Sequence, residues 1–252
     1  MREAQEEKYF MKNRVEKGFL IKKGSKYSIN SKRTTSILLN QLHIDLLVHY
    51  QDYIYGKLLD AGCGEKPYSL LYDELVSSSI GCDVENCIHD QRDIDVFATL
   101  DDLPFTDNEF DTILCTNVLE HVADAEKGFM ELARCLKKGG HLIISTPFLA
   151  PLHEAPYDFY RYTKYGIKHQ IEKNGLKVVH ENSLGGVGLM FAVYFNWFIT
   201  RIVKIAALTK LNCRIQEIFY KLYKKVFFKK ICNGSGKLDS IISMGYFVVV
   251  TK

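Results

Sequence analysis

Short apolar runs alternate with amphipathic stretches along most of the chain. The apolar runs predict β-strands over residues 57–62, 79–84, 110–116, 141–147, 176–181 and 244–252. Apolar residues at helical spacing, followed by glycine or basic stop signals, predict helices over residues 34–50, 68–76, 125–140 and 164–175. This alternation predicts an α/β fold with a mostly parallel sheet and helices on both faces.

The stretches outside this alternation predict how the chain is organised. Residues 1–56 form a charged N-terminal extension with one helix, and Lys23-Gly24-Ser25 is a candidate hairpin turn. Residues 57–184 form the α/β core, and residues 241–252 return to it as the final strand. Residues 185–240 are too long for an ordinary connection, so they form an insert before that strand.

The charge of the chain is distributed unevenly. The 252 residues carry a net charge of +3, yet residues 200–231 contain nine basic residues and one acid. This segment therefore carries +8, which leaves −5 for the rest of the chain. The hydrophobic content of 47% is typical of a globular domain, so the charge asymmetry is a property of the insert that needs its own explanation.

The cysteines and the N-terminus give information on metal binding and on the cellular compartment of the protein. None of the seven cysteines belongs to a CxxC pair, which disfavours a zinc knuckle or ribbon, and we expect no metal site. Cysteines within predicted strands act as small hydrophobes, as is typical of a reducing compartment. The first residues lack the apolar region of a secretory signal. These features predict a cytoplasmic protein.

The stretch "LLDAGCGEKP", residues 58–67, places an acid and two glycines just past the first core strand. A plain tight turn is one explanation. A nicotinamide-binding loop would need a third glycine where this chain has Pro67, and the GK[ST] of a Walker loop is absent. The remaining candidate is the acid-x-Gly-x-Gly loop that binds S-adenosylmethionine (AdoMet), here Asp60 to Gly64.

Several further blocks at matching intervals make this resemblance specific. They include "GCDVE", "LPFTDNEFDTILCTNVLEH", "ELARCLKKGGHLIISTPF" and the closing "GYFVVV". With them the chain resembles class I AdoMet-dependent methyltransferases of the type 11 group, which includes ubiquinone and menaquinone methyltransferases. The resemblance implies AdoMet as cofactor and a Rossmann-like sheet of seven strands whose last strand is antiparallel. The block "HEAPYDFYRYT" resembles a subgroup associated with cell-surface polysaccharide or lipid-linked pathways.

The resemblance also assigns cofactor-binding roles. Asp83 would bind the ribose hydroxyls, since a carboxylate accepts two neighbouring O–H donors, with Glu85 as the alternative. Asp60 would lie near the cofactor's amino group, and Gly62 and Gly64 would pack against its methionine portion.

Two further pairs of residues complete the predicted cofactor pocket. Thr116 and Asn117 would line it, although both residue types also suit a helix N-cap. Thr99 stands where the family often has an aspartate that contacts adenine, and Leu100 would cover the adenine ring.

Candidate catalytic residues follow the predicted strands over residues 110–116 and 141–147. His153 is the candidate general base, with His121 and Tyr157 as further candidates, because histidine suits proton transfer near neutral pH. Alternatively, His153 bonds to backbone, and His121 caps or braces the helix after the strand over residues 110–116, a role that we favour for His121. Arg161 either binds an acidic acceptor or pairs with Asp158, and we favour the pairing.

The insert combines an apolar stripe with basic residues. Its apolar run is interrupted at Asn196 and Arg201, so it falls short of a membrane span. A helical stripe follows, with lysines off it, which is the pattern of an interfacial helix at an anionic membrane. The stripe consists of Ile215, Ile218, Phe219, Leu222 and Val226. The alternative is a lid that packs this apolar face on the core. A nucleic-acid partner is disfavoured, because the remaining surface is acidic and no RNA module is recognisable.

Together these features predict an AdoMet-dependent methyltransferase, peripheral at the inner face of the membrane. We expect it to methylate an oxygen of a glycan, a lipid-linked glycan or an isoprenoid-type acceptor. A methyltransferase of soluble small molecules with a helical lid remains open. So does a catalytically silent AdoMet-binding partner that recruits other proteins to a membrane.

Overall fold

The structure is a computed structural model, which describes residues 14–24, 26–30, 37–87, 90–199, 206–232 and 242–252. The strands are β1 (Arg14–Lys17), β2 (Leu20–Lys23), β3 (Lys26–Ile29), β4 (Lys57–Ala61), β5 (Ser78–Asp83), β6 (Val96–Phe97), β7 (Phe110–Thr116), β8 (Leu136–Pro147), β9 (Lys177–Ser183) and β10 (Gly245–Thr251). The helices are α1 (Ile37–His49), α2 (Ser69–Tyr72), α3 (Ala125–Cys135), α4 (Lys164–Lys173), α5 (Val187–Phe198), α6 (Ala206–Tyr223) and α7 (Lys229–Cys232), with a π-helical turn (Lys224–Phe228) joining the last two.

Seven strands form the central sheet in the order β6-β5-β4-β7-β8-β10-β9. All pairs are parallel except those of β10, which is antiparallel to both β8 and β9. The predicted fold class, a mostly parallel seven-stranded sheet with an antiparallel last strand, is therefore confirmed. The strand order reverses between β4 and β7, and in open α/β sheets the ligand crevice lies at this switch point.

The N-terminal extension forms a small antiparallel sheet of three strands, β1-β2-β3. Lys23 pairs with Lys26 across the predicted hairpin turn, where Gly24 has φ +55°. Strand β1 has no counterpart in the prediction. The sheet contacts the core through the rings of Phe19 and Tyr68, whose centroids lie 5.7 Å apart in an edge-to-face arrangement.

Two predicted helices are wrong in extent. Helix α3 ends at Cys135, not at residue 140, because the buried Leu136 pairs with Phe110 and begins β8. A pairing with a distant strand thus overrides the local helix-forming pattern. Helix α2 covers only Ser69–Tyr72 of residues 68–76, because the chain turns to place the Ser77 N–H on the carbonyl of Gly56, at 2.8 Å, before β5 starts.

The insert leaves the sheet after β9 and returns at β10, and its two ends are joined by a 2.8 Å hydrogen bond from the N–H of Leu184 to the carbonyl of Gly245. Its helices α5 and α6 lie beside α1. On α6, the Tyr220 hydroxyl donates to the buried carboxylate of Asp45 in α1 at 2.8 Å, and Nζ of Lys224, in the π-helical turn that follows, lies 2.8 Å from the same carboxylate.

The protein-facing side of α6 combines buried amides with two buried tyrosines, Tyr220 and Tyr223, while several large apolar residues face outward. Asn212 and Gln216 are buried and donate to the side-chain oxygen of Asn196 in α5, at 2.7 and 2.6 Å. By contrast, Ile218 and Leu222 in the predicted stripe are 60% and 62% exposed. Four of the five stripe residues are exposed, whereas Phe219 packs against the hydrophobic core.

Part of the basic segment lies outside the described residues, namely residues 200–205. None of the described helices is long and apolar enough to cross a bilayer.

Candidate active site

A cavity of about 900 Å³ opens at the carboxyl ends of β4, β7 and β8, at the switch point of the sheet. One side consists of the glycine-rich turn after β4, and the other of the loop that follows β8. Helices α1, α5 and α6 cover the opening from the side of the insert. The volume lies within the range of ordinary small-molecule sites, roughly 300–1,000 Å³.

The glycine-rich turn is held open by backbone geometry that only glycine adopts readily. Gly62 has φ +73°, and a Cβ on it would lie 2.2 Å from Cγ2 of Val118. The N–H groups of Gly62 and Cys63 both donate to the carbonyl of Cys82, at 2.8 and 3.1 Å. Gly62 and Gly64 both line the cavity, as the sequence predicts. The turn therefore presents bare backbone to whatever binds there.

Asp83, at the end of β5, is tied to this turn. One carboxylate oxygen accepts from the N–H of Gly64 at 2.8 Å, and the other accepts from the N–H of Val84 at 2.7 Å. Each oxygen keeps a further lone pair, so the carboxylate can fix the turn and still accept from a ligand. Asp83 stands behind the turn and is not itself among the cavity-lining residues, and Glu85 is exposed.

Asp60 lies at the end of β4 and lines the cavity although its side chain is almost inaccessible. The Tyr72 hydroxyl donates to its carboxylate at 2.9 Å. Burial raises the pKa of Asp60 to about 7, and the hydrogen bond from Tyr72 partly offsets that rise. A cationic group in the cavity would favour the ionised form.

The remaining predicted cofactor residues divide into two groups. Thr116 and Asn117 line the cavity, with Asn117 at φ +55°, and neither caps a helix, since Asp124 caps α3 by accepting from the N–H of Lys127. Thr99 is exposed and Leu100 is buried in the core, and neither belongs to the cavity-lining set.

The cavity is also lined by Glu120, His121 and His153. Glu120 is fully buried, and Oε1 lies 3.8 Å from Nε2 of His121 and 3.9 Å from Nε2 of His153. Burial raises the pKa of Glu120 to about 8. The two imidazole rings meet edge to face, with centroids 4.8 Å apart. The two histidines predicted from separate segments thus share one site with a carboxyl group.

Each histidine is also fixed by the loop after β8. Nδ1 of His121 lies 2.8 Å from the carbonyl of Tyr157, and Nδ1 of His153 lies 3.2 Å from that of Pro151. The side chain of Tyr157 is 53% exposed and is not among the cavity-lining residues, so this residue contributes through its carbonyl.

An ion pair holds the shape of this loop. Arg161 donates to both oxygens of Asp158, at 2.5 and 2.6 Å, which confirms the pairing that the sequence analysis favours. Asp158 also accepts from the N–H of His153 at 3.0 Å. The Arg161 guanidinium lowers the pKa of Asp158 to about 2.

Sequence reasoning missed the cavity residues that α1 and the insert supply, among them His43, Asn196, Trp197 and Gln216. His43 is buried in α1, and burial lowers its pKa to about 4, so its ring is neutral. Asn196 interrupts an apolar run, and that interruption was the one signal available. Helical packing of the insert against α1 brings the four together, which no local pattern encodes.

Comparison with known proteins agrees with this arrangement. Residues 59–144 match the family described as "Methyltransferase domain". The ubiquinone/menaquinone biosynthesis C-methyltransferase UbiE of Psychromonas ingrahamii is 41% identical over 70 residues, which are 27% of this chain and 28% of that protein. An uncharacterized protein of Methanocaldococcus jannaschii is 33% identical over 132 residues, 50% of this chain and 57% of that one. This chain thus spans about a quarter to three fifths of these relatives.

Solved structures share the fold over a larger part of the chain. A putative sarcosine dimethylglycine methyltransferase from Galdieria sulphuraria superposes with a TM-score of 0.55 at 15% identity, covering 85% of this chain and 84% of that one. Phosphoethanolamine N-methyltransferase 2 of Haemonchus contortus, in complex with S-adenosyl-L-methionine, gives 0.51 at 17% identity, covering 84% of this chain and 52% of that one. At these identities the likeness concerns the fold alone.

Proposed function

We propose that this chain is a class I AdoMet-dependent methyltransferase and that it transfers the methyl group of AdoMet to an oxygen of an acceptor presented at a membrane surface. The observation that carries the proposal is the layout of one cavity. This cavity is lined by the glycine turn and by His121 and His153, and the insert, which has an exposed apolar face, supplies further lining residues.

The residues present fit the cofactor. Gly62 and Gly64 line the cavity with backbone alone, so a ligand can approach the turn, and each carboxylate oxygen of Asp83 keeps a lone pair for a ribose hydroxyl. Asp60 offers a buried carboxylate to an ammonium group. AdoMet supplies an electrophilic methyl group on a positively charged sulfur, so the protein's tasks are to align the acceptor and to exclude water.

The histidine end suits a hydroxyl acceptor. His121 and His153 line the cavity, and a neutral imidazole nitrogen can take the proton of an attacking hydroxyl. His153→Ala should lower kcat about a hundredfold or more while AdoMet affinity stays unchanged. An unchanged kcat would leave alignment alone as the mechanism.

The acceptor class follows from the insert. Its exposed apolar stripe has Arg214, Lys221 and Lys225 exposed beside it, whereas Lys224 is engaged by Asp45. An apolar face bordered by cations matches an anionic bilayer surface, where each basic residue contributes about 1 kcal/mol. A membrane-held acceptor, such as a lipid-linked glycan or an isoprenoid-type molecule, would then meet the cavity at that surface.

Transfer is tested by incubating the purified chain with labelled AdoMet and with lipid or glycan extracts of the source cells. Label in an alkali-stable ether of the lipid fraction is expected. Label on carbon would replace the oxygen acceptor by a carbon one, as the name of the relative UbiE suggests. AdoMet binding with no transfer to any fraction would favour a catalytically silent partner.

Membrane association is tested by sedimentation with liposomes of rising anionic content. Binding should increase with anionic lipid and fall with salt, because charge is screened within about 8 Å at physiological ionic strength. Reversing Arg214, Lys221 and Lys225 to Glu should release the protein with AdoMet affinity unchanged. The matched control changes three exposed lysines outside the insert to Glu, namely Lys127, Lys138 and Lys168. An equal loss of liposome binding in both triple variants would contradict a membrane-binding surface on the insert.

A further inference from the structure

Three side chains with metal-binding atoms converge at the acceptor end of the cavity. Glu120 and His121 come from the turn after β7, and His153 comes from the loop after β8. One ligand atom of each lies within 4.8 Å of the others, and this is the group that the described residues offer for a metal ion. Two histidines and one carboxylate are a donor set that first-row transition metals use.

The carboxylate of Glu120 points independently to a missing ligand. Its side chain has no accessible surface, and neither oxygen has a hydrogen-bond partner among the described residues. A buried carboxyl group without partners costs several kcal/mol, so folded proteins rarely keep one unless something binds it. The Nε2 atoms of His121 and His153 lie 3.8 and 3.9 Å from Oε1, which is too far for a hydrogen bond.

The contacts of the Nδ1 atoms of both histidines determine which ring nitrogen is available to a metal ion. Nδ1 of His121 and Nδ1 of His153 each lie within reach of a backbone carbonyl, at 2.8 and 3.2 Å. A carbonyl can only accept, so Nδ1 carries the proton and Nε2 keeps its lone pair. Asp158 Oδ2, 3.4 Å from Nδ1 of His153, adds a carboxylate behind that ring. Histidine ligands of metals are oriented in this way.

We propose that Glu120, His121 and His153 bind a divalent transition-metal ion of the zinc class. The ion would lie between Oε1 and the two Nε2 atoms, and each ligand atom would move inward by roughly half an ångström to reach a bond of about 2.0–2.1 Å. Three protein ligands leave a coordination position open to the cavity, which is the arrangement of a catalytic metal site. The proposal departs from the sequence analysis, which expected no metal site.

The role of this ion rests on the proposed function. A metal-bound acceptor hydroxyl loses its proton more readily, and the proton leaves to solvent. The oxygen then forms a bond to the methyl carbon as the carbon–sulfur bond breaks, and the electron pair stays on sulfur. In this case His153 acts as a ligand, and the ion replaces it as the group that activates the acceptor.

The test measures metal binding separately from methyl transfer. The full chain is treated with a chelator, and Zn²⁺ is titrated by calorimetry, with Mg²⁺ as the hard cation that this donor set disfavours. One Zn²⁺ per chain is expected. The visible spectrum of the Co²⁺ form should show nitrogen and oxygen ligands, which excludes binding by cysteine thiolates.

The variants are His153→Ala and Glu120→Gln, with His169→Ala as the control on an exposed histidine outside the site. Both site variants should weaken Zn²⁺ binding at least tenfold, and the control should not. AdoMet affinity is measured on each variant to show that it is folded. If Glu120→Gln does not fold, His153→Ala alone decides.

The inference is overturned if the wild type binds no Zn²⁺, or if His153→Ala binds it as tightly as the wild type does. Methyl transfer by a chain that binds no metal would leave the proposed function standing and remove only this inference. Metal binding by a chain that does not bind AdoMet would leave this inference standing and remove the proposed function.

Discussion

Gly62→Ala should damage both the stability of the domain and its cofactor site, and the structure gives the size of each contribution. Gly62 has φ +73°, a conformation that costs an alanine about 1–2 kcal/mol. The added Cβ would also lie 2.2 Å from a methyl group of Val118, and relief of such overpacking costs about 1–3 kcal/mol more. The free energy of unfolding should therefore fall by about 2–5 kcal/mol.

Gly175→Ala is the matched control. Gly175 also has φ +73°, but a Cβ there would meet no atom within 4 Å. Its substitution should therefore show the backbone cost alone, about 1–2 kcal/mol. Urea denaturation measures both variants, and the difference between them is the steric conflict with Val118.

The double variant Gly62→Ala/Val118→Ala tests the same conflict from the other side. Removal of the two valine methyl groups should recover part of the loss, with a coupling energy of about 0.5–3 kcal/mol. AdoMet affinity, measured by calorimetry, should fall in Gly62→Ala and not in Gly175→Ala. The reasoning is refuted if the two single variants lose equal stability, or if Val118→Ala gives no recovery.

Three further predictions follow from the cofactor end and from the insert. Asp83→Ala should weaken AdoMet binding by about 1–3 kcal/mol, while Glu85→Ala should not. Calorimetry measures both affinities, and an equal loss in the two variants would contradict the assignment of Asp83 to the ribose. Asp60 has its pKa raised to about 7, so the folded state holds a proton that the unfolded state has lost between about pH 4 and 7. Stability should therefore fall as pH rises through that window, and Asp60→Asn should flatten the fall in urea titrations. At pH 6, AdoMet binding should release protons from the wild type only, as measured in buffers of different ionisation enthalpy. Tyr220→Phe should lower the free energy of unfolding by about 1–3 kcal/mol, because the buried carboxylate of Asp45 loses its 2.8 Å donor, and an unchanged urea midpoint would contradict this.

The sequence predicts the sheet well because its signals are local. The strand over residues 110–116 is found with those bounds, since a buried parallel strand is read from its own apolar run. The helix predicted to residue 140 fails at Leu136 because its pairing with Phe110 depends on a neighbour from elsewhere in the chain. The helix and strand propensities of the residues around Leu136 do not predict that pairing.

The site is predicted less completely, for the same reason. The glycine turn belongs to a short motif, and its glycines line the cavity, whereas the role of Asp83 stays a prediction. The convergence of Glu120 with His153 depends on two loops meeting across strand ends, 33 positions apart in the sequence. The sequence pattern also could not predict which face of α6 is buried. That face is set by a partner on α1, the carboxylate of Asp45, which accepts a hydrogen bond from the Tyr220 hydroxyl.

The hydrogen bond between Leu184 and Gly245 has a consequence for how such a protein can change over evolution. Because the two ends of the insert already meet at the sheet, the sheet sets only their spacing and not the length or composition of the segment between them. The entropy of closing a loop grows only with the logarithm of its length. The insert can therefore be lengthened, shortened or replaced while the strands keep their register. Exchange of this one segment would redirect the domain to a different acceptor and leave the cofactor turn as it is.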